Sequence, residues 1–531
     1  MQTAFSAQGA SGRAMRIRAG AGERLFLLLT KISQNYILSS LPRVFYPAKQ
    51  LGLFMLFNSI SFLMFFPIVT LCYFVLPFRY RWLLLLSASC FFYMSFIPVY
   101  ILILAVLILI DFSTGILIEN STTKKSKKIY LLVSIISTVS MLFTFKYFNF
   151  FNANFHHLAD FLHWNYPLGM LKLALPLGLS FHTFQSLSYV IEVYKGRQKA
   201  ERNIGIYSLY VMFFPQLVAG PIERPYNLLH QFREKHDFDE RRVSSGLRLM
   251  LWGFFKKIAI ADNAAVFVNM IYSDPASVSG SALIIATVFF AVQIYCDFSG
   301  YSDIAIGAAR IMGFKLMTNF DRPYFSKSIP EFWRRWHISL SSWFRDYVYI
   351  PLGGNRVSLP RLYFNLFVVF LISGFWHGAN WTFVIWGALH GVYMVFSSMT
   401  KKVRERVVAA LGLARVPALL ASLQMAMTFV LVCIGWVFFR AKNLSDALYI
   451  LTHMLSGLTF NVFALGFNQY DFAKLFVCLA VLLAVEGSKN LVGKIDSAMP
   501  LVLRWSAYAS VFLLILLFGE FNSTRFIYFQ F

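Results

Sequence analysis

The sequence predicts an all-α polytopic integral membrane protein, and three observations carry that expectation. Hydrophobic residues make up 58% of the 531 residues and charged residues only 14%, where a soluble globular chain carries about a quarter charged. The apolar residues form runs long enough to cross a bilayer. The basic residues behind the formal net charge of +24 sit in short loops between those runs, the pattern of loops facing an anionic leaflet. The lipid bilayer is therefore the first expected partner. No nucleic-acid partner is expected, because no basic groove with interleaved aromatics is needed to explain the charge.

Taken in order, residues 1–54 differ from the rest. Arg13, Arg16, Arg18 and Arg24 accompany Gly, Ala and Ser, and the apolar run Leu25–Leu29 is too short for a signal-peptide core. This is expected to be a basic N-terminal extension, disordered or upstream of the native start, since Met55 opens a stretch that looks like a natural beginning. Residues 55–531 are expected to form the membrane domain. Leu56–Pro77 reads as one span, Trp82–Ile118 as two tight ones, and Tyr130–Phe145 as the next crossing, with an outer loop from Asn149 to Asn165 that holds no Lys or Arg. Leu168–Tyr194 is interrupted by Pro176, Gly178 and His182 and reads as a broken helix buried in protein. Tyr207–Ile222 has basic residues on both flanks, so it reads as re-entrant rather than crossing.

Leu247–Tyr272 and Ala282–Ile311 make a pair around the loop 273–281. Asp297 and Asp303 of the second lie at membrane depth, where a carboxylate needs a partner. They are expected to be structural, accepting hydrogen bonds or pairing with arginines of the 322–345 region. The run Leu362–Trp376 rises roughly 22 Å at about 1.5 Å per residue, short of the ~30 Å hydrocarbon core, so His377 is expected to turn over inside the membrane. Trp381–Ser398 returns with Gly387 and Gly391 flanking His390, a close-packing pattern. Val416–Phe439, Phe472–Val485 and Leu501–Leu517 complete the spans.

The polar groups that such a chain must explain concentrate in Ser328–Gly354, SIPEFWRRWHISLSSWFRDYVYIPLGG, and in Ser373–Trp381, SGFWHGANW. The first has capping-box spacing at Ser328 and Glu331, Pro330 in its first turn and Pro351 with Gly353-Gly354 as a stop, and is expected to be one helix. Trp333, Trp336, His337, Leu340, Trp343, Phe344 and Tyr347 share a face at helical period. Two readings stand for that face: an interfacial helix whose histidine is incidental, or a ring aimed at a site. His377, between two apolar runs, defaults to a functional group. The five cysteines, Cys72, Cys90, Cys296, Cys433 and Cys478, have no metal or redox spacing, and His156, His157 and His163 lack ligand spacing, so no disulfide framework and no metal site are expected.

WRRWHISLSSWFRDYVYIPLGG followed by SGFWHGANWTFVIWGALHG resembles the central signature of the membrane-bound O-acyltransferases (MBOAT), in the bacterial alginate O-acetyltransferase branch. LPLGLSFHTFQSLSYVIEVYKG, FFPQLVAGPIERPYNLLHQF, QIYCDFSGYSDIAIG, GWVFFRA and the ending FIYFQF are similar to it as well, in one order from Met55 onwards. The resemblance implies a helical shell around a catalytic tunnel, with His377 catalytic and His337 its tunnel partner. It implies acetyl transfer across the bacterial inner membrane to an exported polysaccharide, commonly through a periplasmic hydrolase-like protein. The donor would be acetyl-CoA or another acyl thioester, a substrate rather than a bound cofactor. His182 stands where that branch carries a hydrophobic residue, so the resemblance gives it no role.

The residues themselves agree with this chemistry. A hydroxyl attacking a thioester must lose its proton, and a positioned histidine is suited to take it, for about 10²–10⁴ in rate. Ser373, four residues before His377, offers an acyl-serine route, but no carboxylate accompanies it locally, and direct transfer is favoured. Arg334, Arg335 and the tryptophans, Trp336 and Trp376 among them, are expected to position or line the site. Asn380 either caps the following helix or donates to the developing oxyanion. The alternative from another class is a transporter or flippase for a polysaccharide precursor, since broken helices and paired carboxylates also occur there.

Overall fold

The computed structural model describes residues 55–531 apart from 177, 218–219, 459–467, 489–499, 522–525 and 528–531. The expectations for residues 1–54 and most of the FIYFQF ending lie outside the described residues. Every described element is helical. Among them, seven helices are long and apolar enough to cross a membrane, and the protein is a multi-pass membrane protein.

The chain begins with α1 (Ile60–Val75) and α2 (Phe78–Met94), and a short turn at Pro98–Tyr100 leads into α3 (Ile101–Asn120). The apolar stretch Trp82–Ile118 is thus two helices, as its length suggested. The next helix, α4, differs from expectation. It runs without a break from Lys124 to Phe161, passing through a π-helix at Phe143–Tyr147, so most of the expected outer loop is helix. Its asparagines explain this. Asn149 donates to the carbonyl of Leu171 at 2.8 Å and accepts from the Leu171 amide at 2.8 Å, and Asn152 donates to Gly169 at 3.2 Å. Side chains that read as loop-formers instead satisfy the backbone of the extended segment running alongside.

Helix α5 (Leu179–Tyr194) follows Gly178, whose φ of 70° turns the chain after Pro176, and all but a few of its residues are buried. The second half of the expected broken helix is thus a helix covered by protein, whereas residues 168–176 are not helical and are mostly exposed. Helix α6 (Ile204–Met212) and the short helix Phe214–Leu217 occupy most of the stretch expected to be re-entrant rather than crossing. At about 1.5 Å per residue neither approaches the ~30 Å needed to cross.

Helix α7 (Glu240–Phe254) continues through a π-helix, Phe255–Ala261, into α8 (Asp262–Ser273), and α9 (Gly280–Met312) returns beside them. Asp297 and Asp303 of α9 are held by ion pairs, but not to arginines of the 322–345 region. Lys257 Nζ lies 2.7 Å from Asp297 Oδ1 and 2.7 Å from Asp262 Oδ1, and Lys256 Nζ lies 2.7 Å from Asp303 Oδ2. The π-helix carries both lysines inward onto α9, while Arg322, Arg335 and Arg345 pair with near neighbours in sequence, Asp321, Glu331 and Asp346. Asp297 Oδ2 also accepts from the Ile527 amide at 2.7 Å, which ties the end of the chain to the middle of α9.

After the short helices α10 (Ile329–Arg335) and α11 (Ile338–Phe344), α12 (Leu359–His377), α13 (Trp381–Met399) and α14 (Pro417–Arg440) form the part of the fold that holds the polar cluster. Helices α12 and α13 meet backbone to backbone. A Cβ placed on Gly374 would stand 2.4 Å from the Phe383 carbonyl oxygen and 2.7 Å from Gly387 Cα, and one on Gly387 would stand 2.5 Å from the Phe370 oxygen. Small residues at this crossing are what allow it. The basic residues at and just past the end of α14 are absorbed by α8: Arg440 donates to Asn269 at 2.7 Å and Lys442 to the Ser273 carbonyl at 2.6 Å.

Two stability measurements test this packing. Gly374→Ala should lower the unfolding free energy in detergent by about 1–3 kcal/mol, the usual cost of overpacking. Lys257→Met, which leaves two buried carboxylates facing each other, should cost about 3–5 kcal/mol.

Candidate active site

The site begins with a helix that stops early. Ser328 Oγ accepts from the Glu331 amide at 3.3 Å and Glu331 Oε2 accepts from the Lys327 amide at 2.9 Å, so the helix starts as its capping spacing indicates. It does not continue to Pro351. The chain leaves helical geometry at Trp336 (φ −100°, ψ 128°), passes through His337 in the left-handed region (φ 42°, ψ 56°), and restarts as α11. A π-helix, Arg345–Tyr349, follows. The break is satisfied from outside. The Asp321 amide donates to the Arg335 carbonyl at 3.0 Å and the Ile338 amide to the Asn319 carbonyl at 2.9 Å, while Ser339 Oγ donates to Asn319 Oδ1 at 2.6 Å. Periodicity alone cannot show such a break, because partners distant in sequence make it.

The aromatic stripe still turns inward, in two parts. Trp333 and Trp336 pack in the main core, where the Trp336 ring lies 5.5 Å from Phe332 and 5.0 Å from Trp436. Leu340, Trp343 and Phe344 pack in a second cluster with Phe184 and Trp376, and Tyr347 is half-buried beside them. Protein covers the stripe, which decides against the interfacial reading of this face.

His337 is fully buried, at 0% exposure. Its ring stands edge-on to Phe298 at 4.6 Å and lies 6.3 Å from Phe181. Neither ring nitrogen has a hydrogen-bond partner among the described residues. An unmade buried hydrogen bond costs about 1–3 kcal/mol, and a non-glycine residue held left-handed costs a similar amount. Both occur at one residue.

His377 is the last residue of α12 and is 5% exposed. Trp376, Trp386 and Phe439 enclose its ring edge-on at 4.8, 5.0 and 5.4 Å. Phe181 links it to His337: the Phe181 ring lies 6.3 Å from His337 and 5.8 Å from Trp376, the immediate neighbour of His377. Ser373 is buried one turn earlier on the same helix. Trp376 packs between Phe184 at 4.9 Å and Phe181 at 5.8 Å, and its buried Nε1 has no partner among the described residues.

The other expected site residues sit further out. Arg335 pairs with Glu331 at 2.6 Å and Arg334 is exposed, so both hold or flank α10 rather than meet the rings. Asn380 caps α13: its Oδ1 accepts from the Thr382 amide at 3.0 Å and its Nδ2 donates to the Lys442 carbonyl at 3.3 Å. That is the capping alternative. His182 is buried against Tyr93 at 6.2 Å, whereas its neighbours Phe181 and Phe184 face the enclosure. Among the described residues no group of His, Cys, Asp and Glu is arranged to hold a metal.

Three contributors are not among the site residues expected from the sequence, although two of them, Trp386 and His390, lie within the quoted motif. His390 is fully buried, its Nδ1 accepting from Trp333 Nε1 at 3.3 Å, and Trp386 lies one turn before it on α13. Lys146, on α4, donates to the carbonyl oxygens of Trp376 and His377. Its signal in the sequence is a single lysine in a long aromatic and otherwise uncharged stretch, which closing the span at Phe145 hides.

Fold and site together define a multi-pass helical membrane protein with paired histidines in an aromatic enclosure. The sequence model of the membrane-bound O-acyltransferase family matches residues 203–439, which contain both histidines. The "Probable alginate O-acetylase AlgI" of Pseudomonas aeruginosa is 40% identical over 396 residues, 74% of this chain and 73% of that protein. The peptidoglycan O-acetyltransferase of Helicobacter pylori is 38% identical over 439 residues, 76% of this chain and 80% of that protein. The teichoic acid D-alanyltransferase of Bacillus subtilis is 29% identical over 279 residues, 50% of this chain and 69% of that protein. The chain belongs to the membrane-bound O-acyltransferase family and is an O-acyltransferase. Family membership sets the transporter alternative aside.

The left-handed backbone at position 337 makes a measurable prediction. His337→Gly should be more stable than His337→Ala by about 1 kcal/mol, the reverse of the order inside a helix, as read from thermal unfolding of the two variants in detergent.

Proposed function

We propose that the protein takes an acetyl or related acyl group from a cytoplasmic thioester, acetyl-CoA or another, and passes it across the bacterial inner membrane for O-acetylation of an exported polysaccharide. A periplasmic hydrolase-like protein is the expected partner on the far side. The observation that carries this reading is the His377 ring at the end of an apolar helix, enclosed by Trp376, Trp386 and Phe439, with His337 reached from it through the rings of Trp376 and Phe181. The two relatives named for alginate and peptidoglycan O-acetylation support a polysaccharide as the acceptor.

In this mechanism His377 is the general base. It accepts the proton of the acceptor hydroxyl as that oxygen attacks the thioester carbonyl. The tetrahedral intermediate collapses with cleavage of the carbon–sulfur bond, and the proton passes to the departing sulfur. The products are an ester and a free thiol. His337, with no partner within the protein for either ring nitrogen among the described residues, is placed to bind a substrate oxygen or sulfur in the same enclosure. The aromatic walls exclude water, which would otherwise compete with the acceptor for the thioester. Direct transfer is favoured over an acyl-Ser373 intermediate, since SGFWHGANW supplies no carboxylate to orient a serine–histidine pair.

Replacing His377 by Ala tests the reading. In a strain depending on this protein, ester-linked acetyl on the exported polymer should fall by about 10²–10⁴-fold while membrane insertion stays normal. Unchanged acetylation with normal insertion would overturn it.

A further inference from the structure

His377 closes α12, so whatever holds the last turn of that helix also holds the ring. The last four carbonyls of an α-helix have no partner within it. Here the following residue, Gly378, is extended (φ −160°, ψ 148°), so the chain does not fold back to satisfy them in the left-handed way common at helix ends. The partners come instead from α4, over two hundred residues earlier in sequence. Lys146 Nζ donates to the carbonyl oxygens of Trp376 at 2.7 Å and His377 at 2.9 Å. Tyr147 Oη lies 3.1 Å from the Phe375 oxygen and 3.4 Å from that of Trp376. The Tyr147 ring stacks on Phe375 with centroids 4.5 Å apart and planes at 18°, and Lys146 Nζ stands 5.6 Å from the centre of the Trp376 ring.

These contacts depend on an irregularity in α4. Lys146 and Tyr147 are the last two residues of the π-helix Phe143–Tyr147, and adjacent residues of a regular helix point about 100° apart. The wider turn lets both side chains serve one target, and such π-turns are frequent at functional sites. The lysine also requires an explanation of its own. An ammonium group within a membrane-spanning run is expensive, and an apolar residue at 146 would pack there without that penalty. The penalty is offset by placing the cation against the negative end of the α12 dipole, at the residue that carries the imidazole. Lys146 and Tyr147 both lie outside the matched residues 203–439.

We propose that Lys146 and Tyr147 are positioning residues that clamp the final turn of α12 and so fix where the His377 ring stands relative to His337. This rests on His377 being the base of the transfer reaction. A displacement of about 1 Å at a reacting group is enough to cost 10²-fold in rate, so the clamp acts on turnover more than on donor binding.

The test uses the full chain in membranes, supplied with radiolabelled acetyl-CoA, and reads ester-linked label on the exported polymer against the amount of folded protein. Lys146→Met should lower kcat by about 10–100-fold and leave KM for acetyl-CoA within about twofold, since the base moves while the donor's contacts remain. Lys146→Arg, which can still donate to both carbonyls, should recover most of the loss. Tyr147→Phe keeps the stacked ring, removes only the hydroxyl, and should lower kcat by at least about threefold; it carries the same test if Lys146→Met does not accumulate. A purely structural role would reduce the amount of folded protein and leave kcat per folded molecule unchanged, and that result overturns the proposal. Equal kcat in Lys146→Met and Lys146→Arg overturns it as well. Full transfer by His377→Ala removes the assigned base and the proposal with it, whereas loss in His377→Ala beside wild-type turnover in Lys146→Met overturns the clamp alone.

Discussion

The contact on which the site depends is the backbone crossing of α12 and α13 at Gly374 and Gly387. With no side chain between them, the two helices approach until a Cβ on either would strike the other's backbone. That approach sets the Trp376–His377 end of α12 against Trp386 and His390 on α13, at 5.0 Å between the His377 and Trp386 rings and 4.9 Å between those of Trp386 and His390. The broken segment α10–α11 then delivers His337 from another direction. Neither helix pair alone would bring two imidazoles together.

Two buried polar regions of the molecule differ in a way that separates scaffolding from chemistry. Around the π-helix Phe255–Ala261, charge is matched to charge: Lys257 lies between Asp262 and Asp297, and Lys256 meets Asp303. Such a cluster is costly to disturb and has little left to offer a ligand. Around His377 the opposite holds. Both nitrogens of His337 and the indole nitrogens of Trp376 and Trp386 are buried without a hydrogen-bond partner among the described residues. Native interiors rarely leave such groups unpaired, and their gathering in one enclosure fits a site completed by a polar substrate.

Much of this was legible in the sequence, and what was not has a physical reason. Apolar run length and loop charge revealed the helices, because the bilayer imposes both. The capping spacing gave the start of α10, and the glycines of α13 marked its packing face. The break at Trp336–His337 was not legible, since Asn319 and Asp321 satisfy it and no local residue signals it. The partners of Asp297 and Asp303 were misplaced for a similar reason: only the π-helix shows that Lys256 and Lys257 face inward. Asn149 and Asn152 read as loop residues because their hydrogen-bond partners, in the segment Gly169–Leu171, could not be inferred from composition. Lys146 was hidden by the point at which the span appeared to end.

The central claim is that the His377 imidazole meets the reacting thioester. It is tested most directly by a structure of the protein with a non-hydrolysable acyl-CoA analogue, in which a methylene replaces the thioester sulfur. The acyl carbonyl carbon should lie within the roughly 3–3.5 Å reach of an attacking oxygen that is itself hydrogen-bonded to His377, inside the enclosure of Trp376, Trp386 and Phe439. An analogue bound with its acyl group elsewhere, and the His377 ring still closed on all sides by protein, would contradict it.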